Sequence, residues 1–535
     1  MKLLQSGLAM AVFAALLASE AFAQSKASDR ELGNVRFQVS CSSAAQDRFH
    51  RAMALYHSFD WGRGKRAFEE ISQLDPRCGM AHWGLAMVYS DNPFGWPVSL
   101  KLKDGSDAIE KARATGAGTP RERDYIDALA ELYRDHANTP HRPRALAYEQ
   151  AMGKLAAKYP DDIEAKILYA LAVSANHDLN DKQYERPLKA AALLEPLFVS
   201  HPRHPGVAHY LIHSYDFPPI AAKGLEAAKR YAKVAPGAAH AQHMPSHIFT
   251  RVGFWRESVA SNTASAAADT GVKPQTPHAW DYMVYAYLQL ADDAAAEGVW
   301  AQGRAMQPLA HEVNFAEAFG YAAIPARLAL ERGQWSEAAR LELPAAIKDT
   351  HWKRFPHAES LVVYARGLGA ARSGDAAGAR KEVARLRELH KVLVERKLGY
   401  WAELTEIQAQ IVSAWNAYAE GRKDEALAAM RAAADREDQT EKHAVVPGPL
   451  MPARELLGDM LMQAERPAEA LPQYEASIGK EPNRFRGLYG AALAAERSGD
   501  RTRARVHYEK LASVTSGSPG ARAELKRVRE EIASR

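Results

Sequence analysis

Apolar and small residues recur with a helical period along almost the whole chain, and short polar or glycine-containing turns interrupt them. At the C-terminal end the interruptions fall on a 34-residue grid. Counting from Met451, Gly458 stands at position 8, Ala470 at 20, Tyr474 at 24 and Pro482 at 32. The next unit, from Phe485, repeats the scheme with Ala492, Ala504 and Tyr508. Near the other end, Gly64, Phe68, Ile71 and Pro76 hold positions 20, 24, 27 and 32 of a unit starting near Ala45. The reason is steric: small residues sit where two helices cross closely, an aromatic fills the space beside them, and proline ends the second helix. This is the position pattern of a tetratricopeptide repeat. Helix–turn–helix punctuation recurs between the ends, at Gly253-Phe254-Trp255, Gly333-Gln334-Trp335, Gly374-Asp375 and Gly499-Asp500. The expected fold is an all-α superhelix of tetratricopeptide-like hairpins, an α-solenoid of roughly ten to twelve units.

Composition supports repetition over a single compact core. Alanine, leucine, glutamate and arginine dominate, and no Val/Ile-rich strand runs recur. The first residues change the compartment. Lys2, the apolar stretch Leu8 to Leu17 and Ala21-Phe22-Ala23 make a secretory signal peptide over residues 1–23, cleaved after Ala23. The mature chain is expected in the periplasm or outside the cell, with no membrane span. A net charge of +4 is small for this length and leaves no electrostatic footprint for nucleic acid. The two cysteines, Cys41 and Cys78, are expected to pair as a disulfide in an oxidising compartment. Three prolines and a glycine within 445–452 mark a break between a main array, 24–444, and a C-terminal module, 453–535.

The strings HPGVAHYLIHSYD, HAQHMPSHIFTRVGFW and KHAVVPGPLMPARELLG resemble a widespread family of exported bacterial tetratricopeptide-repeat proteins. The resemblance extends over most of the mature chain. It implies the fold and export, and it implies no established activity.

Candidate chemistry comes from histidine placement within 204–282. His209 and His213 are four apart, as are His243 and His247, and each step from the first pair to the second is 34 residues. With Pro236 at position 32, the pairs occupy positions 5 and 9 of the first helix in successive units. Asp281 takes position 9 of a third, His278 lies one residue past its position 5, His240 is at position 2 and Asp216 at position 12. Positions 2, 5, 9 and 12 line the concave groove of this fold. Side chains four apart on a helix share a face, which suits two imidazoles sharing one ion. The expected metal set is therefore His209, His213, His243, His247, His278 and Asp281. Zinc is the first choice, with copper or iron next. Pro245 falls inside the second pair, so a helix either kinks or starts there.

Three functions are compatible with such a groove. The first is a binding scaffold holding a protein or peptide ligand through a histidine-rich, metal-binding site. The second is a metal-dependent hydrolytic or oxidative enzyme using the same residues. The third is a metal-free protein-interaction scaffold. Glu437, Asp438, Glu441 and His443 read as a solvated helix end, with Glu437 and Glu441 on one face as an alternative pair for acid/base work or cation binding, and His50 and His57 read as packing residues. There is no GxSxG, HExxH, phosphate-binding loop or dinucleotide fingerprint.

Overall fold

The computed structural model describes residues 32–533, apart from 180, 269–275, 306–308, 310–312 and 521. The expected signal peptide lies outside the described residues. Those that are described form helices joined by short turns, with no strand among them, and successive helices pack as antiparallel hairpins. None of these helices is long and apolar enough to cross a membrane. The fold class is that of an α-solenoid.

The hairpins fall where the spacing places them. Helices Ser43–His57 and Trp61–Leu74 form the first, and Ala453–Gln463 with Pro467–Lys480 a later one. The helix crossings are as tight as the pattern requires. A Cβ on Gly84 would lie 2.2 Å from the Phe68 ring, and one on Gly490 would lie 2.4 Å from the Tyr474 ring. Helix starts carry their own signals: Thr119 with Glu122, and Asn314 with Glu317, form reciprocal capping boxes.

The chain divides into two compact units. The first takes in the described residues up to His177, with Tyr184–Ser214 and Glu226–Met244. The second takes in Asp178–Gln183, Tyr215–Leu225 and everything from Pro245 onward.

In the first unit an N-terminal strap buries Phe37 against Phe49, Trp83 and Tyr125. Cys41, just before the first helix, is bonded to Cys78, which caps the helix Gly79–Tyr89. The expected disulfide therefore ties the entry segment to the far end of the first hairpin.

The second unit departs from contacts between neighbours only. Trp255 Nε1 donates to Asn483 O at 2.8 Å, and Arg522 pairs with Asp293. Arg484, fully buried, holds Glu455 (Nε–Oε1 2.8 Å), Glu331 (Nη2–Oε1 2.6 Å) and the Tyr285 hydroxyl (2.9 Å). Through Asn483, Arg484 and Arg522 the C-terminal helices thus pack on those that carry Trp255, Tyr285, Asp293 and Glu331.

The proline-rich stretch 445–452 lies inside this unit. Its prolines bar helix, so its carbonyls need donors from elsewhere. Two buried arginines supply them: Arg251 Nη1 to Pro447 O (3.2 Å), and Arg327 to Gly448 O (2.8 Å) and Pro449 O (3.1 Å). Only glycine fits at 448, where a Cβ would sit 2.3 Å from the Tyr285 hydroxyl.

Candidate metal centre

Three imidazoles meet in the first unit. His209 and His213 project from the helix Pro205–Tyr215, one turn apart, and His240 comes from the short helix Ala239–His243. One ring nitrogen from each lies within 4.8 Å of the others. His209 Nε2 and His240 Nε2 stand 3.1 Å apart. Two nitrogens on one tetrahedral ion, at metal–nitrogen bonds of about 2.1 Å, stand roughly 3.4 Å apart. The His209–His240 pair is therefore close to that spacing, and without an ion the two nitrogens share a hydrogen bond.

The tautomer of His209 follows from its other nitrogen. The helix Ser43–His57 ends at His57, and the last carbonyls of a helix lack intrahelical partners. His57 O accepts a hydrogen bond from His209 Nδ1 at 2.7 Å. A carbonyl cannot donate, so Nδ1 carries the proton and Nε2 presents a lone pair toward His240 and His213. A backbone carbonyl holding Nδ1–H is the usual support behind a metal-ligating imidazole.

Aromatic rings fix the rest. Phe94 stacks on His213 with ring centres 3.8 Å apart, Phe59 stacks on His240 at 5.3 Å, and Tyr231 stacks on His209 at 5.2 Å. Phe59 occupies the turn after the first helix with φ of +52°, a left-handed conformation that a bulky side chain adopts only under constraint. There it also touches the edge of His209.

Beneath this trio lies a second cluster that the register did not indicate. Buried Glu164 accepts from His57 Nε2 and His204 Nε2, each at 2.9 Å. His57 Nδ1 in turn accepts the Tyr210 hydroxyl at 2.9 Å. Burial alone would raise the Glu164 pKa, but His204 and His57 outweigh it and hold the carboxyl well below its usual range. Burial lowers the His57 pKa, so this histidine is neutral. A carboxylate receiving two N–H donors is satisfied without a metal. His57 is thus a support for the His209 site, through its backbone and through Glu164, where sequence reasoning placed only packing.

The other expected ligands divide between the units. His243 stays with the first, its ring 6.1 Å from that of His240. One helix ends at His243 and another begins at Pro245, whose missing N–H breaks the ladder. His247 and His278 belong to the second unit, with ring centres 6.2 Å apart and Tyr282 beside both. There His247 Nδ1 donates to Asp216 Oδ2 at 2.8 Å, and Asp216 Oδ1 takes Arg251 Nε at 2.8 Å. Asp281, expected as the carboxylate ligand, is instead engaged by Arg327 at 2.6 Å (Oδ1–Nε) and 3.5 Å (Oδ2–Nη2). It sits fully buried, where a carboxylate needs a cation at hand.

Only part of the acidic cluster is a solvated helix end: Asp438 is exposed at the end of the helix Lys423–Asp438, and the other members are engaged. Glu441 pairs with Lys182 at 2.8 Å, and Glu437 accepts Ala453 N–H at 2.7 Å. Glu437 is partly buried, and burial pushes its pKa up to about 7. His443 lies among Trp401, Tyr400 and Phe315, and burial lowers its pKa to about 4.

No family model and no curated protein matches the chain. Solved structures with some likeness include the APC/C hetero-tetramer Cut9–Hcn1, at 14% identity and TM-score 0.35, covering 92% of this chain and 77% of that one. Another is yeast Tom70, at 11% identity and TM-score 0.31, covering 91% of this chain and 88% of that one. Neither likeness is close enough to speak for function.

Proposed function

We propose that the protein is an extracytoplasmic helical-repeat binding protein whose His209–His213–His240 centre holds a divalent metal ion, zinc first. The observation that carries this reading is the pinned His209 ring. Its Nδ1–H is spent on a backbone carbonyl, and its Nε2 lone pair converges with two further imidazoles. Three neutral imidazoles suit zinc, copper(II) or iron(II). The Cys41–Cys78 bond supports an oxidising compartment. A protein or peptide ligand completes the ion's coordination through a side chain of its own.

The count of ligands also favours a second reading, a metal-dependent hydrolase. Three protein ligands leave a position for water, as in catalytic rather than structural zinc sites. Elemental analysis of untagged protein, purified without chelator, tests the metal. About one equivalent is expected in the wild type, and His213→Ala should lose most of it with helicity intact. Metal-free wild type that also takes up no zinc, copper or iron on titration would remove the proposal. The scaffold reading without metal would then stand. Ester or phosphoester hydrolysis that follows zinc occupancy would select the enzyme.

A further inference from the structure

The second unit holds a partly open cavity of about 80 Å³ whose lining contains no histidine. Phe319, Leu361, Leu404 and Ile411 give the lining an apolar part, and Val446 and Leu450 of the proline-rich stretch add to it. Three deeply buried polar groups line the same space.

Glu481 is 5% exposed, and its carboxylate makes no hydrogen bond or ion pair with any described residue. The cations nearest in charge are committed elsewhere. Arg251 is held by Asp216, Arg327 by Asp281, and Arg484 by Glu331 and Glu455. Lys480 reaches only the carbonyls of Glu437 (3.5 Å) and Thr440 (3.4 Å). The other two groups are the Tyr364 hydroxyl and Gln408 Oε1, both buried without a partner.

These groups select a ligand by chemistry. Glu481 and Gln408 Oε1 are acceptors, and a largely buried carboxylate without an ion pair of its own favours a ligand that brings positive charge. The ring faces of Phe319 and Tyr400 also attract a cation. One carboxylate and one amide oxygen fall far short of the six to eight oxygens that a calcium ion takes, so a bare hard cation is poorly served. An anion would meet Glu481 and Glu437, while the cations of the lining are engaged: Arg327 by Asp281, Arg454 by Asp435 and Asp438, and Lys442 and Lys480 by backbone carbonyls. The apolar part of the lining asks for a hydrocarbon body. The volume admits roughly seven water-sized spheres, hence a molecule of about five to ten heavy atoms.

We infer that this cavity binds a small organic ammonium compound, with the ammonium at Glu481 and Gln408 and the apolar body against Phe319, Leu361, Leu404 and Ile411. The site is separate from the histidine centre and does not depend on a metal there. Val446, Gly448, Pro449, Leu450, Met451 and Pro452 of the proline-rich stretch contribute to its lining.

Isothermal titration calorimetry of the full chain with n-butylamine and 2-phenylethylamine at pH 8, against n-butanol and 2-phenylethanol, tests the inference. At least one amine should bind about tenfold or more tightly than its alcohol counterpart, the scale of a charge-assisted hydrogen bond. Glu481→Gln should erase that preference, and Ile411→Trp, which fills the cavity, should block both members of a pair. If Glu481→Gln does not fold, the amine-to-alcohol ratio in the wild type still decides. Equal binding of amine and alcohol, or no binding of either, would overturn the proposal and leave a water-filled cavity. Neither result bears on the metal content of the histidine centre.

Discussion

Arg484→Met isolates what holds the second unit together. The substitution keeps a long apolar stem and removes the guanidinium that Glu331, Glu455 and Tyr285 share. All three charged groups are buried to the last per cent of their side chains. Breaking a buried ion pair from one side costs about 3–5 kcal/mol, because the partner charge is stranded. At about 1.4 kcal/mol per decade, this is roughly two to three and a half powers of ten in an opening equilibrium. Hydrogen exchange read by mass spectrometry on Thr276–Gln289 and Phe485–Arg497 should accelerate by that factor.

The pH dependence supplies the control. Burial already raises the Glu455 pKa, with Arg484 working against it. Without Arg484 the folded-state pKa rises further above the unfolded value. A group shifted that way favours the native state below the unfolded pKa and loses that contribution as pH rises through the folded pKa. The penalty in the variant should therefore shrink on acidification, once exchange rates are corrected for intrinsic chemistry. Adding Glu331→Gln and Glu455→Gln should restore most of the protection. Exchange within about threefold of wild type in both helices, or a penalty equal at pH 5 and pH 8, would refute the reasoning.

Replacing Cys41 and Cys78 by serine opens a cross-link between residues 37 apart. The chain-entropy relation assigns such a loop about 4 kcal/mol, to be read as a lower urea midpoint for the first hairpin. A midpoint equal to that of the oxidised protein would contradict it. Glu164→Gln tests the network under His209. The Glu164 folded-state pKa is depressed, so its contribution is present above the unfolded value of 4.5 and fades as pH falls below it. Wild-type protection in the helix Pro205–Tyr215 should therefore fall on acidification, whereas the variant should start lower at neutral pH and respond less. A parallel acid response in both would show that Glu164 does not bear the charge assigned to it.

The hairpins were legible because their determinants are local. Gly64 and Phe68, or Ala470 and Tyr474, lie within one unit, and the steric reason for their spacing needs no distant partner. The His209–His213 pair was legible for the same reason. His240 stood in the groove frame at position 2, but the register weighted positions 5 and 9, so its part in the trio was missed. His57 and Glu164 could not be found this way, since they meet across 107 residues and share no repeat position with His209. Asp281 failed as a ligand for a related reason. A repeat frame says which face a side chain takes, but it cannot see Arg327 arriving on that face from another helix. Glu437 read as solvated because the return of residues 445–452 over it depends on contacts with Arg251 and Arg327, which no local pattern announces.

The caught stretch has a consequence for how the chain is made. An open repeat array can fold from its first hairpin onward while synthesis continues. Here Arg327 leaves the ribosome 121 residues before Gly448, and Arg251 leaves 196 residues before Pro447. Until those carbonyls emerge, the two guanidiniums that belong in the interior have only water and their aspartates. Arg484 follows Tyr285 by 199 residues. The early helices of the second unit therefore lack these partners until its late ones are made, and contacts of such long sequence separation are the slow ones to form.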